Sequence, residues 1–235
     1  MDFIKYTTEI TLYNSYFDFN DRLSIKSILN IFQDVASAHA EEIGLGYNNM
    51  CEKNYYWVLS RIKFDILKMP KINQKVIVET WPHEKGKIDF DRDMRILSED
   101  GEELIIATSK WCIIDTVSRM LQRTDNINYV GTIFPNVNYN ERFNKILLPS
   151  VKEDEKNDYM VSFSDLDHNK HMNNTNYANL VINAIENKFV NHFEINYLKE
   201  CKLGDKITIS SVKNGNNEYV IGSVEGQCHF VAMVK

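Results

Sequence analysis

Glycine and cysteine are scarce in this sequence, and each scarcity excludes a kind of site. Nine glycines occur in 235 residues, and none forms GxGxxG or GxxxxGK[ST]. Dinucleotide-binding and P-loop chemistry therefore lack the backbone cradle that holds their phosphates. The cysteines lie far apart without a CxxC pair, so we expect buried free thiols and no structural zinc. They are Cys51, Cys112, Cys201 and Cys228.

Long apolar runs and excess positive charge are also missing. No stretch reaches the roughly 18 to 20 apolar residues that a membrane helix needs. A net charge of −6 makes nucleic acid an improbable partner. The first residues resemble neither a secretory signal nor a transit peptide, so we expect a reducing cytoplasmic location. The 43% hydrophobic and 11% aromatic content is too high for a disordered chain.

The first half is predicted to contain one helix followed by antiparallel strands. A strand is predicted at 5–16, and polar residues at 18–24 offer a helix cap. Apolar residues at helical spacing start at Ile28, and Gly44 with Gly46 can end that helix. Further strands are predicted at 56–67, 75–81, 90–97 and 103–115. The Asp100-Gly101 pair predicts a hairpin turn between the last two.

The second half repeats that order. An extended stretch at 158–171 leads to Asn173 and Asn174, which are good helix caps. A helix follows, with its apolar residues at i, i+3, i+4, i+7 and i+8 from Tyr177. Strands are predicted at 193–198, 206–212, 218–224 and 228–234.

A position-by-position comparison supports duplication. Residues 62–79 match 193–210 at a constant offset of 131, with Leu67/Leu198 and Lys68/Lys199 among the identities. The intervening segment is polar, and KEDEKND at 152–158 is typical of a linker. We therefore predict two domains, 1–150 and 151–235.

The two halves differ in residues that can do chemistry. Asp167, Asn169 and His171 alternate just before a helix, and an extended backbone would place them on one face. The comparable region of the first half, 21–25, lacks such an acid–amide–imidazole set. Glu200 and Cys201 likewise occupy the positions of Met69 and Pro70. Both gains fall in one half, which favours one assembled site over a simple helix cap and a surface acid.

These residues resemble the acyl-acyl-carrier-protein (acyl-ACP) thioesterase family of plant plastids and bacteria. The run at 165–174 is similar to the family's D-x-N-x-H-x-N-N motif, and 197–201 to its Y-x-x-E-C element. Segments at 57–61, 78–82, 107–111 and 119–123 also resemble family segments.

The resemblance implies an α+β fold, a tandem (double) hotdog with two long helices, each wrapped by an antiparallel sheet. It also implies hydrolysis of fatty acyl-ACP in fatty acid biosynthesis, in a bacterial cytoplasm. Asp167, Asn169, His171 and Glu200 would form the catalytic network, and the first half would bind the acyl chain without chemistry. Acyl carrier protein would be the substrate partner, no cofactor or metal is implied, and a homodimer is one assembly that the fold allows.

Several alternatives stay open from the residues. Cys201 could act as a nucleophile in a cysteine–histidine–asparagine arrangement, although the adjacent Glu200 disfavours its thiolate. An acyl-CoA thioesterase is the main rival, a hotdog dehydratase and a non-enzymatic acyl-binding protein being weaker ones. His39 is expected to be a buried structural histidine. His83, His192 and His229 have no metal-binding spacing.

The acidic chain poses a docking problem, because acyl carrier protein is itself acidic. Binding would then need a local basic face. The candidate lysines are Lys68, Lys71, Lys75, Lys199, Lys202 and Lys206.

Overall fold

The computed structural model describes residues 3–141, 143–149 and 154–235. The chain divides into two compact units, Met1–Arg142 and Phe143–Lys235. The predicted boundary at residue 150 falls within the second unit. The division of labour between an acyl-binding half and a catalytic half stays a prediction.

The first unit has a long helix and a five-stranded antiparallel sheet. The sheet order is β2-β4-β5-β6-β3, and a short parallel pair, β1 and β7, lies apart from it. The elements are β1 (Phe3–Ile4), β2 (Tyr6–Thr11), α1 (Ile25–Glu42), α2 (Tyr47–Glu52), β3 (Tyr55–Ile66), β4 (Lys75–Pro82), β5 (Phe90–Ser98), β6 (Glu103–Asp115) and β7 (Thr132–Ile133). The helix and the strands predicted at 56–67, 75–81, 90–97 and 103–115 are confirmed, whereas the strand predicted at 5–16 ends at Thr11. Elements α2, β1 and β7 were not predicted.

Helix α1 forms where local signals and core packing agree. The Ser24 hydroxyl accepts the Ser27 N–H at 3.1 Å and so caps the first turn. The apolar stripe of α1 is buried and contacts β2 and β4, with Phe32 only 1% exposed. Burying one such ring contributes roughly 1.5–3 kcal/mol. The helix stops before Gly44, whose φ of +70° is readily adopted only by glycine.

The second unit has the same plan. Its elements are β8 (Asp154–Met160), α3 (Tyr177–Ala184), β9 (His192–Tyr197), β10 (Lys206–Asn214), β11 (Asn217–Val224) and β12 (Gln227–Val234). The sheet order is β8-β10-β11-β12-β9, which reproduces the first unit strand for strand. Helix α3 contacts β8 and β10, the counterparts of the two strands that contact α1.

The repeat extends to the loops. Strand β3 ends at Ile66 and β9 at Tyr197, while β4 begins at Lys75 and β10 at Lys206, so both boundaries match at the predicted offset. The next residues bond alike: the N–H groups of Leu67 and Lys68 donate to Leu104 O, and those of Leu198 and Lys199 donate to His229 O. His229 therefore occupies the position of Leu104.

The second helix is much shorter than the resemblance implied. Helix α3 has eight residues, whereas α1 has 18. Lys188 donates to the carbonyl oxygens of Ile182 and Ile185, which caps the end of the helix. The Glu218 carboxylate accepts the N–H of Glu186, two residues beyond the end of the helix.

The linker predicted at 152–158 is wrong for the part that the structure describes. Lys152 and Glu153 lie outside the described residues, and Asp154 begins strand β8, which pairs with β10. Asp158 is exposed on this edge strand, a position that tolerates charged residues. Asp158 also forms a 2.6 Å ion pair with Lys206 on β10.

No helix within the described ranges is long and apolar enough to span a membrane.

Candidate active site

The Asp167–His171 stretch is a tight turn, so the predicted extended conformation is wrong. The Asp167 N–H donates to His171 O at 2.8 Å, and the Lys170 N–H donates to Asp167 O at 3.0 Å. Lys170 has a φ of +65°. The Asp167 carboxylate accepts the N–H groups of Asn169 and His171 at 2.8 and 3.2 Å, which folds the backbone back. We call this segment the 167–171 turn.

The first unit contains the same turn at 18–22. The Asp18 carboxylate accepts the N–H groups of Asn20 and Arg22 at 2.8 and 3.1 Å. The first half does lack the complete acid–amide–imidazole set, but the comparable region is 18–22 instead of the predicted 21–25, because Asp18 and Asn20 occupy the positions of Asp167 and Asn169. The difference between the turns is the imidazole: Arg22 stands where the second unit has His171.

His171 and Glu200 are brought together. His171 Nε2 lies 3.1 Å from Glu200 Oε2, and their side chains are 15% and 31% exposed. The 167–171 turn reaches the connection between β9 and β10, the 198–205 loop, through a 2.8 Å hydrogen bond from the Met172 N–H to Cys201 O. This partly exposed pair can hold and transfer a proton.

The other two predicted residues have different surroundings. The Asp167 carboxylate binds backbone N–H groups and shapes the turn. The half-buried Asn169 side chain makes no hydrogen bond to any residue that the structure describes. Its amide is therefore available to a ligand. His168 and Lys170 are exposed.

Cys201 is buried and pairs with a different histidine from the one considered in the sequence. It has 0% exposure, and its Sγ lies 3.3 Å from His229 Nδ1. Burial raises the pKa of the Cys201 thiol, which a hydrogen bond with Tyr177 offsets only partly. The thiolate is disfavoured as expected, but by burial rather than by the adjacent Glu200. Its complete burial does not suit a nucleophile, which must reach the substrate.

His229 and Tyr177 are the residues that the sequence reasoning missed in this site. His229 is 8% exposed, and burial lowers the pKa of its imidazole. Tyr177, at the start of α3, is 2% exposed and hydrogen-bonds with Cys201. The constant offset of 131 places His229 on Ser98, and its match to Leu104 emerges only from the backbone hydrogen bonds, so the sequence repeat contains no signal for it.

The first unit contains a mainly apolar pocket of about 90 Å³. Trp57 and Trp111 line it, whereas Trp81 is fully buried elsewhere in the sheet. Arg92 also lines the pocket, and its Nη1 lies 2.9 Å from His39 Nδ1. Burial and the Arg92 charge lower the pKa of His39 to about 3, so it is neutral and structural, as predicted. The remaining walls include Ala36, Ala40, Ile43, Leu45, Phe90 and Tyr129.

Side chains that could bind a metal are not clustered in the described ranges. No group of three or more His, Cys, Asp or Glu residues with suitable geometry occurs among residues 3–141, 143–149 and 154–235.

Comparison with protein families gives two matches that together cover most of the chain. Residues 4–128 match the acyl-ACP thioesterase N-terminal domain, and residues 148–231 match the C-terminal domain. An Arabidopsis thaliana oleoyl-acyl carrier protein thioesterase is 29% identical over 86% of this chain and 61% of its own length. A Gossypium hirsutum palmitoyl-acyl carrier protein thioesterase is 28% identical over 87% of this chain and 54% of its own length. The chain thus spans roughly three-fifths of these curated relatives' length.

Solved structures establish the fold. An acyl-ACP thioesterase from Bacteroides thetaiotaomicron superposes with a TM-score of 0.90 at 24% identity, covering 98% of this chain and 97% of the other. The 12:0-ACP thioesterase from Umbellularia californica superposes with a TM-score of 0.85 at 20% identity, covering 100% of this chain and 98% of the other. The predicted α+β double hotdog is confirmed, with a helix and an antiparallel sheet in each unit.

The burial of Cys201 predicts that its thiol resists alkylation in the native protein. The exposed Cys51 provides an internal control. Iodoacetamide at pH 7.5, followed by peptide mass spectrometry, should modify Cys51 at least ten times faster than Cys201, because the buried thiol is protonated and screened from the reagent. In urea the two rates should converge. Equal rates in the native protein would contradict the assignment of Cys201 as a structural thiol.

Proposed function

Because the chain belongs to the acyl-ACP thioesterase family, we propose that it hydrolyses the thioester that joins a fatty acyl chain to acyl carrier protein. Water adds to the carbonyl carbon, the carbon–sulfur bond breaks, and the thiolate takes up a proton. The products are a free fatty acid and the carrier with its thiol. The 3.1 Å contact between His171 and Glu200 is the observation that carries this proposal.

The proposed mechanism is direct attack by water. Glu200 or His171 positions the water and takes its proton, and their contact lets the pair share that proton. A thiolate is a good leaving group, so little acid assistance is needed. The burial of Cys201 supports this route over a covalent acyl-enzyme.

In the same proposal, Asn169 polarises the carbonyl and Asp167 organises the site. The Asn169 amide can donate to an oxygen that gains negative charge as water adds. Asp167 acts through the backbone, since its carboxylate fixes the turn that presents Asn169 and His171. Asp18 holds the corresponding turn of the first unit, which has no imidazole.

The pocket of the first unit is the proposed acyl-chain site. Its walls are mostly aliphatic and aromatic, which suits an alkyl chain. The first unit has Arg22 and Met69 where the second has His171 and Glu200, so the proposal assigns it binding without chemistry.

The proposed docking region for the acidic carrier is the rim of the second unit's site. Lys170, Lys199 and Lys202 are exposed there and form no ion pair with any residue in the described ranges. Other lysines considered above are neutralised: Lys68 pairs with Glu102, Lys75 with Glu9 and Lys206 with Asp158. The rim lysines can attract an acidic partner despite the net charge of −6.

The proposal places the reaction in fatty acid biosynthesis, in a bacterial cytoplasm. It requires no cofactor, because the phosphopantetheine arm belongs to the carrier.

Substrate preference tests the choice of carrier. We expect kcat/KM for a fatty acyl-ACP to exceed that for the matching acyl-CoA by at least tenfold at low salt, because the acidic face of the carrier can contact more of the rim lysines at once than the phosphates of CoA can. The advantage should shrink as salt rises from about 0.05 to 0.5 M, which shortens the range of electrostatic attraction. Thiol release is the measurement. An equal or higher rate on acyl-CoA would contradict the proposed carrier.

Loss of either member of the proton-transferring pair should abolish most turnover. We expect Glu200→Ala and His171→Ala to lower kcat by about 10²- to 10⁴-fold, the usual contribution of a general base. Met69→Ala is the matched control, because Met69 occupies the position of Glu200 in the first unit, and it should retain near-normal kcat. Normal turnover in either site variant would refute the assignment.

Filling the first-unit pocket should change chain-length preference. Ala40→Phe adds a ring to a residue that lines the pocket, so the optimal acyl chain should become shorter by two or more carbons. Glu42→Phe adds the same ring at an exposed position of α1 and should leave the preference unchanged. Hydrolysis of an acyl-ACP series measures the optimum. An unaltered optimum in a folded Ala40→Phe variant would show that the chain binds elsewhere.

A further inference from the structure

His229 holds the 198–205 loop with both its backbone and its side chain. Its carbonyl oxygen accepts the N–H groups of Leu198 and Lys199 at 2.8 and 3.1 Å. Its imidazole lies 3.3 Å from Cys201 Sγ and also hydrogen-bonds with the Glu200 backbone. One residue of β12 therefore contacts four consecutive loop residues, one of which is Glu200.

The first unit shows that the loop can form without this imidazole. Leu104 accepts the same two backbone hydrogen bonds, from Leu67 and Lys68, at 2.9 and 3.1 Å. Leu104 is 2% exposed, and Pro70 occupies the position of Cys201, so the matched contact has no polar side chain. The second unit, which has the Glu200 carboxylate on this loop, also has the contact between the His229 imidazole and the Cys201 thiol.

A second attachment joins the loop to the 167–171 turn. The Met172 N–H donates to Cys201 O at 2.8 Å. No equivalent bond joins Leu23 to Pro70 among residues 3–141. Cys201 thus lies between His229 on one side and the turn that carries His171 on the other. Glu200, the preceding residue, is fixed through the backbone that these contacts hold.

We propose that His229 is a positioning residue that keeps the Glu200 carboxylate 3.1 Å from the His171 imidazole. This inference rests on the proposed function. A glutamate on a loop samples several rotamers and backbone positions, so a carboxylate that must meet a fixed partner needs rigid support. His229 supplies that support from a regular strand, through the thiol of Cys201 and the backbone of Glu200.

The test is a double-mutant cycle with a matched control. His229→Leu introduces the first unit's residue and removes both imidazole contacts, whereas His229→Gln keeps a hydrogen-bonding side chain. We expect His229→Leu to lower kcat by about 10- to 100-fold with KM changed less than threefold, since small displacements in a site cost about that much. The logarithm of kcat for His229→Gln should lie at least a third of the way from the His229→Leu value to the wild-type value. Leu104→Ala, at the matched buried position, should lower stability but not kcat.

The Glu200→Ala background separates positioning from a general structural effect. If His229 acts through Glu200, His229→Leu should lower kcat less than twofold when Glu200 is already absent. Full kcat in His229→Leu, or the same loss in both backgrounds, would overturn the proposal.

A crystallographic measurement separates this inference from the proposed function. The distance from His171 Nε2 to Glu200 Oε2 should exceed 4 Å in His229→Leu and return towards 3.1 Å in His229→Gln. An unchanged distance in His229→Leu would refute positioning whatever the activity. If the wild-type protein hydrolyses no thioester but the distance responds as stated, the proposed function fails and the positioning role stands.

Discussion

The site depends on a carboxylate that binds backbone instead of substrate. Asp167 accepts two backbone N–H groups, and the turn that it closes sets the directions of Asn169 and His171. Asp18 makes the same two bonds in the first unit, so this interaction is common to both units whatever side chains their turns present. The chemistry that each unit can perform depends on the side chains that its turn presents.

Because the backbone frame is shared, the differences between the units are concentrated in a few side chains. His171 replaces Arg22, Glu200 replaces Met69, and the Cys201–His229 contact replaces Pro70 and Leu104. The hydrogen bonds that frame the loops are the same in both units. The second unit thus combines the shared backbone frame with the His171–Glu200 contact and one further attachment, between Met172 and Cys201.

Most of the fold could be predicted from sequence, since its elements have simple periodic signals. The strand from Glu103 to Asp115 and the repeat boundaries at Ile66 and Tyr197 follow from apolar patterning and a constant offset. The 167–171 turn could not be predicted from alternation, because alternating polar residues suit both a strand and an aspartate-closed turn. The apolar pattern from Tyr177 to Ile185 matches α3 to within a residue, whereas the resemblance implied a longer helix. The pairing of Glu200 with His171 was inferred, but His229 was missed because a single buried histidine has no spacing pattern.

The replacement of Leu104 by His229 has a consequence for how the two units withstand denaturation. A leucine in a core stabilises the fold through the burial of its whole apolar side chain. A buried imidazole and thiol must lose their hydrogen bonds to water, and their contact with each other offsets only part of that free-energy cost. The second unit also has a helix of eight residues in place of 18. Both differences predict that the second unit opens locally at a lower free energy than the first.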